Sequence, residues 1–268
     1  MSESFEIIII GGGIAGTSAA LTAMNRGKRT AVIANPMESE SLYKAEKITN
    51  YPGLAGLGGR EMSELLRRQL DGSGAKLIRG RALNVMDMGG SFGVAVGNDF
   101  YEAKAVILAL GITREKLYPG EAEFLGRGVS YCATCDGMLY RGKTVALIGN
   151  NREAFDDADF LKSIGCNVLH FKENLRYEIR GGMKADTLIA GGQEHPVDGV
   201  FIIKDSISVS KLIDGLGYEN GAIVTKRDMS TSVPGVFACG DCAGKPYQLA
   251  KAAGEGNIAA LSACGYIK

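Results

Sequence analysis

The chain has 268 residues, with 30 Lys and Arg balanced by 30 Asp and Glu, so its formal net charge is zero. That balance argues against bulk nucleic-acid or anionic-membrane binding, and no apolar run reaches the roughly 20 residues of a membrane span. Glycine, at 38 residues, is about twice its usual share; with 46% hydrophobic residues and no collagen period, fibre and disorder are excluded and close backbone approaches are implied. The start Met1-Ser2-Glu3-Ser4-Phe5-Glu6 is acidic where a secretory signal is basic, so a soluble cytoplasmic protein is expected.

Phe5–Ile10 reads as a β-branched strand, followed at once by Gly11-Gly12-Gly13-Ile14-Ala15-Gly16. Thr17–Arg26 reads as a helix closed by Gly27, and Arg29–Ala34 as a second strand. This is a βαβ unit of about 30 residues with G-x-G-x-x-G at its first turn, the arrangement that seats a pyrophosphate on a helix N-terminus. The position that holds the ribose hydroxyls, at the end of the second strand, is usually acidic; here it is Asn35, which still hydrogen-bonds a hydroxyl without charge assistance.

Ala103–Leu110 and Val236–Ala238 are candidate partner strands for this unit. A second such unit follows, with a strand at Lys143–Ile148, a turn at Gly149–Ala154, a helix at Phe155–Ile164 and a strand at Asn167–Phe171. The expected fold is α/β, with two Rossmann-like three-layer domains. The first is discontinuous, over 1–113 plus 206–268, and a reduced second domain over 114–205 is inserted into it.

Six cysteines in a cytoplasmic chain do not form a disulfide scaffold; four of them fall as two C-x-x-C pairs. Cys132-Ala133-Thr134-Cys135-Asp136-Gly137 closes too short a loop to staple the fold, and suits reversible dithiol exchange, with Asp136 placed to move the proton. A buried structural pair, or half of a zinc site, is the bland alternative. Cys239 and Cys242 read as small residues filling a packed strand end, with a second redox couple as the lesser alternative. The pairs lie about 107 residues apart in separately explained motifs, so no metal is expected. Neither a zincin helix nor a serine-nucleophile elbow is present, so hydrolase chemistry has no support.

Together these residues resemble the low-molecular-weight flavin-dependent thioredoxin reductases. The carriers are Gly11–Gly16, Asn50-Tyr51-Pro52-Gly53, Ala109-Leu110-Gly111, Pro119-Gly120-Glu121, Gly128–Gly137, Thr231–Asp241, Tyr247-Gln248 and Ala252-Ala253-Gly254. The resemblance implies FAD held by Gly11, Gly13, Ile14, Ala15, Gly16, Asn35, Asn50, Gly111, Gly240, Asp241, Gln248 and Leu249, with Asp241 at the ribityl chain. It implies Cys135 as the sulfur beside the flavin, Cys132 as the sulfur that exchanges with thioredoxin, and Asp136 as proton donor. It also implies a homodimer.

The second glycine turn departs from that pattern. Where the family reads G-x-G-x-x-A for NADPH, this chain has Gly149-Asn150-Asn151-Arg152-Glu153-Ala154, and Lys172-Glu173-Asn174 replaces the basic run that clamps a 2′-phosphate. The pattern is most similar to the ferredoxin-dependent flavin thioredoxin reductases, which implies ferredoxin as electron donor. A reductase using NAD(P)H or another donor, and a flavin-dependent dithiol oxidase using oxygen, are the alternatives.

Overall fold

The computed structural model describes residues 3–35, 42–43, 45, 47–54, 56–111, 117–131, 133–203 and 212–267, and of Cys135 the backbone only. The chain divides into two compact units, Met1–Glu115 with Ser208–Lys268, and Lys116–Ile207.

In the first unit, β1 (Glu3–Ile10) leads through the glycine turn into α1 (Ile14–Asn25) and β2 (Thr30–Ala34). Then come α2 (Gly59–Gly72), β3 (Lys76–Arg79), β4 (Ala82–Asp87), β5 (Phe92–Val96) and β6 (Asp99–Leu108). The sheet order is β3-β2-β1-β6-β5-β4. Strand β6 forks. Its first half pairs antiparallel with β5. Its last three residues pair in parallel with a strand from the far end of the chain, Val236–Ala238. The sheet is buried on both faces, as alternation along β1 requires: Ile7 and Ile9 join the core beneath the helices, while Ile8 and Ile10 join the opposite core.

The second unit holds α3 (Glu121–Phe124), β7 (Val129–Ser130), α4 (Ala133–Asp136), β8 (Thr144–Ile148), α5 (Arg152–Ser163) and β9 (Asn167–Phe171). Strands β10 (Tyr177–Gly181), β11 (Ala185–Ala190), β12 (Gln193–Pro196) and β13 (Gly199–Ile202) follow. A parallel sheet β7-β13-β8-β9 is covered on one face by α5 and on the other by the antiparallel sheet β10-β11-β12. Alternation again sets the layers, with Val145 and Leu147 toward α5 and Ala146 and Ile148 toward the antiparallel sheet. Back in the first unit, the hairpin β14 (Tyr218–Glu219) and β15 (Ala222–Ile223) precedes β16 (Val236–Ala238). A 3₁₀ turn at Gly240–Ala243 and the terminal helix α6 (Leu249–Tyr266) complete it.

Two helix starts differ from the sequence expectation. Helix α1 begins at Ile14 rather than Thr17, and α5 at Arg152 rather than Phe155. In each case the turn supplies the cap: Gly13 and Asn151 are the extended N-cap residues, so the last residues of each glycine motif already form the first helical turn. Strand β6 also stops at Leu108, two residues before the expected Leu110.

Candidate functional site

The parallel strands of the first unit bring their carboxyl ends to one edge, which is where open α/β sheets bind ligands. Gly11 ends β1, Asn35 follows β2, Ala109-Leu110-Gly111 follow β6, and Cys239-Gly240-Asp241 follow β16. Backbone bonds stitch this edge together: the Gly11 amide donates to Ile33 O, the Ala109 amide to Ile10 O, and the Cys239 amide to Leu108 O, each at 2.8–2.9 Å. Gly11 has φ +115°, and a Cβ there would lie 2.1 Å from Ala109 O, so only glycine fits. A Cβ at Gly16 would lie 1.9 Å from Gly11 O.

Helix α1 opens with no side-chain cap and no acidic residue in its first turn, which leaves its positive end available to an anion. The turn carrying Asp241 rests on that same first helical turn, since a Cβ on Gly240 would meet the Ala15 Cβ at 2.9 Å. The Asp241 carboxylate accepts no hydrogen bond from any described residue. Burial pushes its pKa up; Lys251 lowers it and Glu255 raises it. Asn50 Nδ2 donates to Gln248 Oε1 at 2.7 Å, joining two expected site residues 198 positions apart, and Gln248 is the N-cap of α6, which opens with Leu249. Gly11, Gly13, Ile14, Ala15, Gly16, Gly240 and Asp241 are therefore brought together at this end of the sheet. Asn50, Gln248 and Leu249 form a second group at the start of α6, and Asn35 and Gly111 stand at neighbouring strand ends.

Lys251 and Glu255 are not among the site residues expected from the sequence. They are the only charged side chains on α6, an otherwise small and apolar helix. Glu255 Oε2 accepts the Gly240 amide at 2.9 Å, and Lys251 Nζ donates to Gly240 O at 2.9 Å. A charged pair four residues apart on such a helix is the signal that could have flagged them.

In the second unit, Cys132 lies outside the described residues. Ala133–Asp136 form α4, and Gly137 packs so closely on α5 that a Cβ would sit 3.0 Å from Leu161 Cδ2. Ser130 Oγ donates to Asp136 Oδ2 at 2.6 Å, which anchors the expected proton donor to β7. Cys239 and Cys242 are free, fully buried thiols with pKa raised by that burial. They fit the reading of residues packed at a strand end.

The second glycine turn is built differently from the first. Asn151 Oδ1 accepts the Ala154 amide at 2.8 Å, so α5 caps itself, and Glu153 lies in the first turn. Gly149 is demanded by packing, since a Cβ would meet Ile203 O at 2.5 Å and Ala154 Cβ at 2.6 Å. His170 Nε2 bonds Gly149 O at 2.8 Å, and its ring stands 5.0 Å from that of Phe155, at the carboxyl ends of β8 and β9. The Glu173 carboxylate lies near enough to Tyr118 and Tyr177 to add to the rise in pKa that burial causes in both phenols, Tyr177 reaching about 12.

The sequence matches the pyridine nucleotide-disulphide oxidoreductase family over residues 5–179 and 170–256. The chain belongs to this family. A thioredoxin reductase of Treponema pallidum is 32% identical over 302 residues, covering 100% of this chain and 98% of the relative. A ferredoxin-flavin thioredoxin reductase of Clostridium acetobutylicum superposes with TM-score 0.93 at 38% identity, covering 99% of this chain and 98% of that one. A thioredoxin reductase of Gloeobacter violaceus gives TM-score 0.84 at 29% identity, covering 98% and 93%. This oxidoreductase is thus a thioredoxin reductase-like flavoprotein disulfide reductase, and FAD is its cofactor. The first-unit edge fits that group: an uncapped helix N-terminus suits a diphosphate, and a half-buried carboxylate with no donor among the described residues suits a polyol chain. Among the described residues no cluster of three His, Cys, Asp or Glu could hold a metal, and no helix is long and apolar enough to cross a membrane.

Proposed function

We propose that this oxidoreductase reduces the disulfide of thioredoxin with electrons from reduced ferredoxin, through FAD and the Cys132/Cys135 dithiol, and acts as a homodimer. The observation that carries the choice of donor is the self-capped start of α5. An incoming pyrophosphate needs the free amides of that helical turn. Here Asn151 already takes the Ala154 amide, and Glu153 adds a negative charge at the same end. Just beyond β9, the stretch that would need a cation for a 2′-phosphate holds Glu173, whose carboxylate lies beside Tyr118 and Tyr177. Gly149 of this turn is required by the packing of strand end on helix, with or without a ligand. The likeness to the Clostridium enzyme points the same way.

FAD supplies the conversion of single electrons into a pair. The protein's own groups do the exchange. In this reading the Cys132 thiolate attacks one sulfur of the thioredoxin disulfide, and the displaced sulfur takes a proton by way of Asp136, itself held by Ser130. Cys135 then attacks Cys132, which releases thioredoxin as a dithiol and leaves Cys132–Cys135 oxidised. Two reduced ferredoxins, one electron each, restore the pair. A plant-type ferredoxin at about −400 mV and a thioredoxin at about −270 mV make the transfer downhill by roughly 6 kcal/mol.

The test is anaerobic bleaching of the flavin. Reduced ferredoxin is expected to bleach it within seconds and NADPH is not. Fast bleaching by NADPH with none by ferredoxin overturns the donor assignment.

A further inference from the structure

We propose that Lys251 is a positioning residue for FAD: paired with Glu255, it clamps the Gly240–Ala243 turn in the attitude that presents Asp241 and balances the charge beside it. The proposal rests on reading the first-unit edge as the FAD site.

The clamp closes on a single peptide. Glu255 Oε2 accepts the Gly240 amide at 2.9 Å and bonds Lys251 Nζ at 3.1 Å. Lys251 Nζ donates to the Gly240 carbonyl at 2.9 Å and also to the Gly244 carbonyl. Both polar groups of Gly240 and the exit of the turn are therefore held by one ion pair whose side chains are only 17% and 18% exposed. Gly240 needs that support. It has φ +78°, and it sits against Ala15, in the helical turn that receives the diphosphate. A shift of this turn moves Asp241 and presses on the start of α1 together.

A plain helix-stabilising role explains the pair poorly. Lysine before glutamate is the weaker order for an i,i+4 pair, and a cation in the first turn opposes the helix dipole. The arrangement is unfavourable for α6 taken alone, and becomes favourable through the turn it grips. Charge points the same way. Asp241 and Glu255 are two carboxylates in one partly dry corner, and Lys251 is the cation acting on both. Without it, two negative groups would face a cofactor that is itself a diphosphate.

The experiment measures FAD affinity of the apoprotein by quenching of flavin fluorescence, with the bound flavin's absorption spectrum as a second readout. Lys251→Met is expected to weaken FAD at least tenfold and shift the spectrum, while Lys251→Arg stays within threefold of the parent. Lys251→Met with Glu255→Gln is expected to recover most of the loss, because the stranded carboxylate is gone and the glutamine oxygen still accepts the Gly240 amide. The recovery also covers the case in which Lys251→Met alone does not fold. Parent-like affinity and spectrum in Lys251→Met, or equal losses in Lys251→Met and Lys251→Arg, would overturn the proposal. Asp241→Asn is the control for the site itself. If it binds FAD like the parent, the site reading fails; if it is impaired while Lys251→Met is not, only this inference fails.

Discussion

Helices α1 and α6 cross at a seam of small residues, Ala15, Ala19, Ala20 and Ala23 on one side and Ala252, Gly256, Ala259 and Ala260 on the other. Gly256 lies at the tightest point, where an added Cβ would come 2.1 Å from Ala15 O and 2.9 Å from Ala15 C. A carbon approaches a carbonyl oxygen to about 3.3 Å, so Gly256→Ala must drive the helices apart by about 1 Å. Overpacking of that kind costs about 1–3 kcal/mol, against which alanine's better helix propensity returns up to about 1 kcal/mol. With the full propensity return, the net expectation is a loss of up to about 2 kcal/mol. Gly254, two residues earlier on the same helix, has nothing within 4 Å of its would-be Cβ, so Gly254→Ala keeps the propensity gain and has no clash. Thermal unfolding followed by circular dichroism should move the two variants in opposite directions, by about 2–4 °C per kcal/mol for a unit of this size. Because Ala15 lies in the first turn of α1, the helix proposed to receive the diphosphate, Gly256→Ala should also release flavin earlier in the melt. If Gly256→Ala stabilised the protein as much as Gly254→Ala, the seam would not be close-packed and the account of α6 would fail.

Cys135→Ser should bind FAD stoichiometrically yet lower thioredoxin reduction at least about a thousandfold, as removal of an attacking sulfur does; turnover near the parent rate would sink the exchange sequence. Asn151→Ala removes the α5 cap and should cost about 1 kcal/mol in urea unfolding, while unchanged stability would mean the Asn151 bond to the Ala154 amide contributes nothing. Burial raises the Cys242 thiol to about 11 from an ordinary value near 9. A raised folded pKa contributes stability that is complete below pH 9 and is lost as pH climbs toward 11, by at most about 3 kcal/mol. Urea midpoints at pH 8 and pH 10.5 should therefore differ less for Cys242→Ala than for the parent, and equal differences would contradict the buried-thiol account.

The two βαβ units were legible because each combines a β-branched apolar run, a glycine turn and a helix of strand-covering length. Their helix starts were misplaced by three residues, since residues that look like turn in the sequence, Ile14 to Gly16 and Arg152 to Ala154, are already helical once Gly13 and Asn151 cap them. Helix α2 was not identified although Met62, Leu66 and Leu70 recur at its helical spacing and are buried. The antiparallel strands β10–β12 were missed for a different reason. Only β10 alternates polar and apolar residues; β11 and β12 are short and irregularly patterned, set off by Gly181-Gly182 and Gly191-Gly192, and pairing across the hairpins is what orders them. Links across the whole chain, such as Asn50 to Gln248, cannot be read from spacing because the fold alone brings the partners together.

The two glycine turns show why the motif by itself decides so little. In both, glycine is forced where the strand's end meets the helix: at Gly16 by the Gly11 carbonyl, and at Gly149 by Ile203 O and Ala154. Packing would thus preserve glycines in either turn whether or not a dinucleotide bound there. The difference lies in the residue before the helix. Gly13 has no side chain and leaves the amides of α1 to a ligand, whereas Asn151 takes the Ala154 amide for itself. An asparagine cap stabilises the helix by the same bond that a phosphate would make, so a turn that has gained one can keep its fold while losing its ligand. In a G-x-G-x-x-G-like turn, the middle position therefore carries the information about cofactor binding, and the outer glycines mostly report that a helix packs on a strand.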